Sequence, residues 1–97
     1  MDNLETIEEL SKKYSLSSFD FIKIGSSLAI KEKKRELQLE RVEVLSRYDA
    51  TNIDELKAKI EQGSIPEHPG WEDCIELENI EAEIKEIEND IRALQEA

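Results

Sequence analysis

Apolar side chains recur along this chain at steps of three and four residues, the spacing that lines one face of a helix. Leu4, Ile7, Leu10 and Tyr14 predict a first helix over 4–14. Asp2 is placed to cap it, with Glu5 at the third position of a capping box. Ser15, Leu16, Ser17 and Ser18 break the pattern, since serine side chains compete for backbone hydrogen bonds and favour caps and turns.

A second helix is predicted from Ser17 or Ser18 to about Tyr48, over 18–48, a length of about 45 Å at 1.5 Å per residue. Its first third is strongly apolar: Phe19, Phe21, Ile22, Ile24, Leu28, Ala29 and Ile30. Gly25, Ser26 and Ser27 interrupt that run, and they mark either a kink or the close approach of another helix. Further on, Ile30, Leu37 and Val44 follow at seven-residue steps, with Leu39, Val42 and Leu45 beside them. So wide a stripe predicts contact with two neighbours.

Thr51 or Asn52 can cap a short third helix over 53–62, whose face is Ile53, Leu56 and Ile60 and whose end is Gly63. The stretch 63–70 holds both prolines of the chain and cannot be regular helix. A fourth helix over 70–94 opens with Glu72 and Asp73, where the helix dipole favours acids. Leu77, Ile80, Ile84, Ile87, Ile91 and Leu94 then give a heptad seam. The expected fold is therefore all-α and sheet-free: one domain over 1–97, built as a long antiparallel helical hairpin or coiled coil with short extra helices.

Charge orients that hairpin. Residues 51–97 carry four Lys or Arg against fourteen acids, a net of −10, and residues 31–50 carry six against five, a net of +1. Residues 1–30 carry three against five, a net of −2, which completes the total of −11. An acidic fourth helix repels a parallel copy of itself but suits the second helix, with Lys31, Lys33, Lys34, Arg35, Arg41 and Arg47. The same field disfavours nucleic acid and anionic membranes and favours basic partners. A helix-turn-helix over residues 10–28 would place only Lys23 on its reading helix, which argues against DNA recognition.

Candidate chemistry is sparse. His68 and Cys74 are the only His and the only Cys, so no four-ligand zinc spacing and no intrachain disulfide can be drawn. The glutamates lie mostly at outward helical positions and form no Glu-x-x-His element. Gly25, Gly63 and Gly70 are isolated and cradle no phosphate. The expectation is a protein that is not an enzyme and needs no metal or cofactor. An acidic N-terminus without an apolar leader, and the lack of any run of about 18 apolar residues, predict a cytoplasmic chain without membrane spans.

The segment Ile65-Pro66-Glu67-His68-Pro69-Gly70-Trp71-Glu72-Asp73-Cys74-Ile75-Glu76-Leu77-Glu78 resembles a pattern in short archaeal and bacterial reading frames. There a long charged helix precedes a proline turn and a final acidic helix. Such proteins resemble proposed antitoxin components of toxin–antitoxin pairs, and the similarity spans about residues 18–90. The resemblance implies a basic toxin as partner. The ribbon-helix-helix strand of better-defined antitoxins is missing.

A protein-binding module is thus the leading expectation, with a self-associating coiled-coil scaffold as the alternative and a small transcription regulator behind both. Candidate apolar contacts on the fourth helix are Trp71, Ile75, Leu77, Ile80, Ile84, Ile87 and Ile91. The candidate acidic rim is Glu72, Asp73, Glu76, Glu83 and Glu86. A seam used inside the hairpin leaves little for a partner. The alternative interface for a partner protein is then Phe19, Phe21, Ile22 and Ile24 on the second helix, and whether the heptad face packs in the hairpin, in a homodimer or on a partner stays open.

Overall fold

A computed structural model describes residues 2–97 and contains four helices and no strand among them. α1 spans Asn3–Lys13, α2 Ser18–Ser46, α3 Ile53–Glu61 and α4 Glu67–Glu96. Each of the first three starts on a side-chain cap. Asp2 accepts from the Glu5 amide at 2.8 Å, Ser17 from that of Asp20 at 3.0 Å, and Asn52 from that of Glu55 at 2.8 Å. Glu55 reaches back to the Thr51 amide at 2.9 Å, which satisfies a further donor at the start of α3. Gly63, at φ 80°, supplies the left-handed residue that ends it.

α2 runs without a break through Gly25. A Cβ built there would meet nothing within 4 Å, so this glycine neither interrupts the helix nor admits a neighbour. In α4, His68 (φ −119°, ψ 125°) and Pro69 (φ −86°, ψ 15°) depart from helical angles, and the straight run begins at Gly70.

α2 and α4 lie antiparallel, and their ion pairs show the register. Lys34 Nζ is 3.7 Å from Glu88, and Arg41 Nε is 2.8 Å from Glu81. Seven residues forward on α2 answer seven backward on α4. Exposed pairs of this kind contribute about 0–1 kcal/mol each, so they set register more than stability. At the far end Lys23 donates to the carbonyl of Gln95 at 3.4 Å and to the Ala97 oxygen at 2.9 Å, a cation at a helix C-terminus.

The core sits at one end. Val44 and Leu45 of α2, Ile53, Leu56 and Ile60 of α3, and Cys74 and Leu77 of α4 form one buried cluster, flanked by Tyr48, Ala50, Ile65 and Trp71. α3 makes this possible by covering the hairpin where two helices alone would leave a side open. Beyond Leu37 and Ile80 the seam thins, and Ile30, Ile84, Ile87, Ile91 and Leu94 are only half-buried. α2 does touch two neighbours, α4 along its length and α1, but neither covers Leu39 and Val42, which remain exposed. The result is an elongated body, 61 × 25 × 18 Å.

Candidate protein-binding surfaces

The heptad seam of α4 faces α2. Leu77 is fully buried and Ile80 nearly so, which makes both interior residues of the hairpin. Ile84, Ile87 and Ile91 continue the seam half-buried. Trp71 is half-buried against the core and closes the end of the hairpin near α3.

The acids of α4 divide by direction. Asp73 turns inward: it accepts a hydrogen bond from the Tyr48 hydroxyl and lies 4.0 Å from the Arg47 guanidinium. Burial, reinforced by the bond to Asp73, pushes the Tyr48 hydroxyl up to about 12. Glu78 and Glu81 pair with Lys57 and Arg41, each at 2.8 Å. Glu72 contacts His68 at 2.7 Å, and that bond holds its carboxyl below the usual range while raising the imidazole. Glu76, Glu83 and Glu86 form no ion pair among the described residues. Glu86 lies eleven residues, about three turns, from Ile75, which is 59% exposed, so the two share the outer side of α4; Glu83 is exposed beside them, and Glu76, seven residues before Glu83, is half-buried on the flank.

A second surface lies at the opposite end. Lys23 meets the end of α4, and Phe19, one turn earlier on α2, is 59% exposed. Ile22 is exposed beside it. Phe21, Ile24 and Leu28, spaced three and four apart, share another face. Phe21 is half-buried, whereas Ile24 and Leu28 stand in water. α1 packs on the start of α2 and leaves Leu4, Leu10 and Tyr14 exposed. Ser11 is its one buried residue, and the Ser11 hydroxyl donates to the Glu8 carbonyl at 2.9 Å.

Between these ends, a shallow groove of about 370 Å³ runs along the hairpin, lined by Gln38, Arg41, Val42, Glu81 and Ile84. Among the described residues, no group of three or more His, Cys, Asp or Glu is placed to hold a metal ion. Cys74 is buried, which pushes its thiol up and keeps it in the unreactive protonated form. Among the described residues, no helix is long and apolar enough to cross a membrane.

Fold and surfaces together define an elongated all-α hairpin protein. The chain belongs to the uncharacterized protein MJ0235 family, whose model matches residues 24–97, from within α2 to the end of α4. No curated protein and no solved structure gives a significant match.

Sequence reasoning named Phe19, Phe21, Ile22 and Ile24 as an interface and Leu28 within the same apolar run, but not Leu4, Leu10 and Tyr14, which are also exposed. The signal was adjacency in the chain: Leu4, Leu10 and Tyr14 of the α1 segment directly precede the apolar start of α2. Asp73 was grouped with the outward acids because the first turn of a helix favours acids on every side, and only the position of Tyr48 separates it from them.

Proposed function

We propose that this protein is a non-catalytic binding module that holds a basic protein against the outer face of α4. The observation that carries this reading is the row Glu76, Glu83 and Glu86, uncompensated by any cation among the described residues and flanked by the exposed Ile75. The cations that pair with acids of α4 from the other elements bind Asp73, Glu78, Glu81 and Glu88 instead, so among the described residues none screens Glu76, Glu83 or Glu86. A row of this sign speeds encounter with a cationic surface, and burial of Ile75 slows dissociation. Masking of a basic toxin is one form such binding takes.

The test is co-expression with the immediate genomic neighbour, with only this chain tagged. Co-purification that weakens when Glu76, Glu83 and Glu86 are replaced by Lys supports the reading, as does an association rate that falls with salt. Growth arrest by the neighbour, relieved by this chain, supports the toxin–antitoxin form. Retention of a neighbour unaffected by the triple replacement removes the acidic row from the mechanism.

A further inference from the structure

The face of α2 turned away from α4 carries a pattern that the hairpin does not use. At about 100° per residue, Ile24, Leu28, Glu32, Arg35, Leu39 and Val42 fall within an arc of about 80°. Arg41, which pairs with Glu81 of α4, and Val44, which packs in the core, point the other way. All six residues of the outer face are exposed, so neither α1 nor α4 covers them. α3 joins the core beside Val44 and Leu45 and leaves this face open as well.

From its middle outward the pattern is the same in both directions, except that the charge changes sign. Leu28 and Leu39 are centred between Lys33 and Lys34, as are Glu32 and Arg35, and Ile24 and Val42 are centred on Lys33. A two-fold axis across α2 at that point lays a second copy antiparallel on the first. Leu28 of each copy then faces Leu39 of the other, Ile24 lies against Val42, and Glu32 faces Arg35. Within one chain Arg35 already bonds Glu32, at 2.9 and 2.8 Å. Across the axis the two pairs make a ring of four alternating charges. A partner of a single sign matches one of these charges and opposes the other, and a parallel copy sets like against like. A copy turned end for end answers both, which is the self-complementarity that an isologous contact requires.

We infer that two copies of this chain associate antiparallel through the outer face of α2, about a two-fold axis between Glu32 and Arg35. Leu28 and Leu39 are the apolar anchors on either side of the axis. Glu32 and Arg35 set direction and register. The acidic outer face of α4 takes no part, so the inference stands or falls without the proposed function.

Sedimentation equilibrium of the full chain at micromolar concentration measures mass independently of the elongated shape. The expected mass is about 22 kDa, twice that of the 11.2 kDa chain. Leu28→Glu and Leu39→Glu alter side chains that are in water in the single chain, so helicity by circular dichroism is retained. Each is expected to weaken association at least about tenfold by setting an acid against an apolar neighbour. Charge reversal tests the register. Glu32→Arg makes the ring all cationic and Arg35→Glu makes it all acidic, so each variant alone is expected to be a monomer. An equal mixture of the two restores alternation and the mass of the dimer. Loss of the bond between Arg35 and Glu32 within each chain would not be repaired by mixing. A parent chain that stays a monomer throughout the micromolar range leaves this face to another partner and overturns the inference. So does a dimer indifferent to both leucine substitutions, a charge-reversed variant that associates alone as well as the parent, or a mixture that does not associate.

Discussion

Tyr48, two residues past the end of α2, donates its hydroxyl hydrogen to Asp73 at the start of α4, and the Arg47 guanidinium lies 4.0 Å from the same carboxylate oxygen. This contact joins the two long helices at the closed end of the hairpin, where 25 residues separate the partners, against 40 for Arg41 and Glu81. Lys59 of α3 adds to it by donating to the Tyr48 carbonyl at 3.1 Å and the Asp49 carbonyl at 2.9 Å. Three helices therefore meet around one short stretch of backbone.

Tyr48→Phe keeps the ring and removes the hydroxyl, leaving Asp73, whose side chain is 14% exposed, short of a donor. The expected loss is about 1–3 kcal/mol in urea unfolding. The pH dependence has a definite sign. The folded hydroxyl titrates near 12, above its ordinary value of 10.0, so the bond stabilises fully below pH 10 and its contribution is lost as pH rises through 12. Tyr48→Phe removes that part of the alkaline decline. Equal alkaline profiles for the two proteins would show that Tyr48 titrates as it does in water.

Two neighbouring positions on α4 separate core from surface. Leu77 is fully buried, and Leu77→Ala is expected to cost about 2–5 kcal/mol through lost burial and the cavity left behind. Ile75 stands in water, and Ile75→Ala is expected to stay within about 0.5 kcal/mol of the parent. Denaturant midpoints of the two variants decide it, and similar losses would contradict the placement of the seam.

Gly70 admits no side chain without a shift. A Cβ there would lie 3.0 Å from Cδ1 of Ile60, itself a core residue. Gly70→Ala is expected to cost about 1–3 kcal/mol by overpacking. In an Ile60→Val background, which lacks that Cδ1, the penalty shrinks, and a double-mutant cycle reads the coupling. Simple additivity would place the strain elsewhere.

The single imidazole of the chain makes His68 directly observable by NMR titration. Its hydrogen bond to Glu72, 2.7 Å long, and the nearby charge raise it above 6.5. In Glu72→Gln it is expected to return toward that ordinary value. The linkage has two sides: the His68 contribution is present below pH 6.5 and lost as pH rises through the folded value. That of Glu72 is present above 4.5 and lost as pH falls through its lowered one. An unmoved His68 resonance would break the pairing.

Much of this architecture can be read from the residues. The caps at Asp2, Ser17 and Asn52, the left-handed Gly63 and the seam from Leu77 to Leu94 each follow local rules, and each local rule agrees with the whole. Cation-rich α2 against acid-rich α4 gave the pairing direction, which Arg41–Glu81 and Lys34–Glu88 bear out. What was not legible depends on distance along the chain. Nothing local to Leu39 or Val42 says that no second helix covers them, and nothing local to Asp73 says that Tyr48 turns it inward. Nor does the composition around Phe19 reveal that its side chain stands in water.

The matched steps of seven between α2 and α4 have a consequence for how the length of such a chain can change. Removing seven residues from α2 and the seven facing them from α4 takes out one rung and shortens the rod by about 10 Å, with every remaining contact in phase. Removing a single residue from either helix turns everything beyond it by about 100° and sends the seam into solvent. Insertions and deletions are therefore tolerated in the hairpin only in whole, paired units.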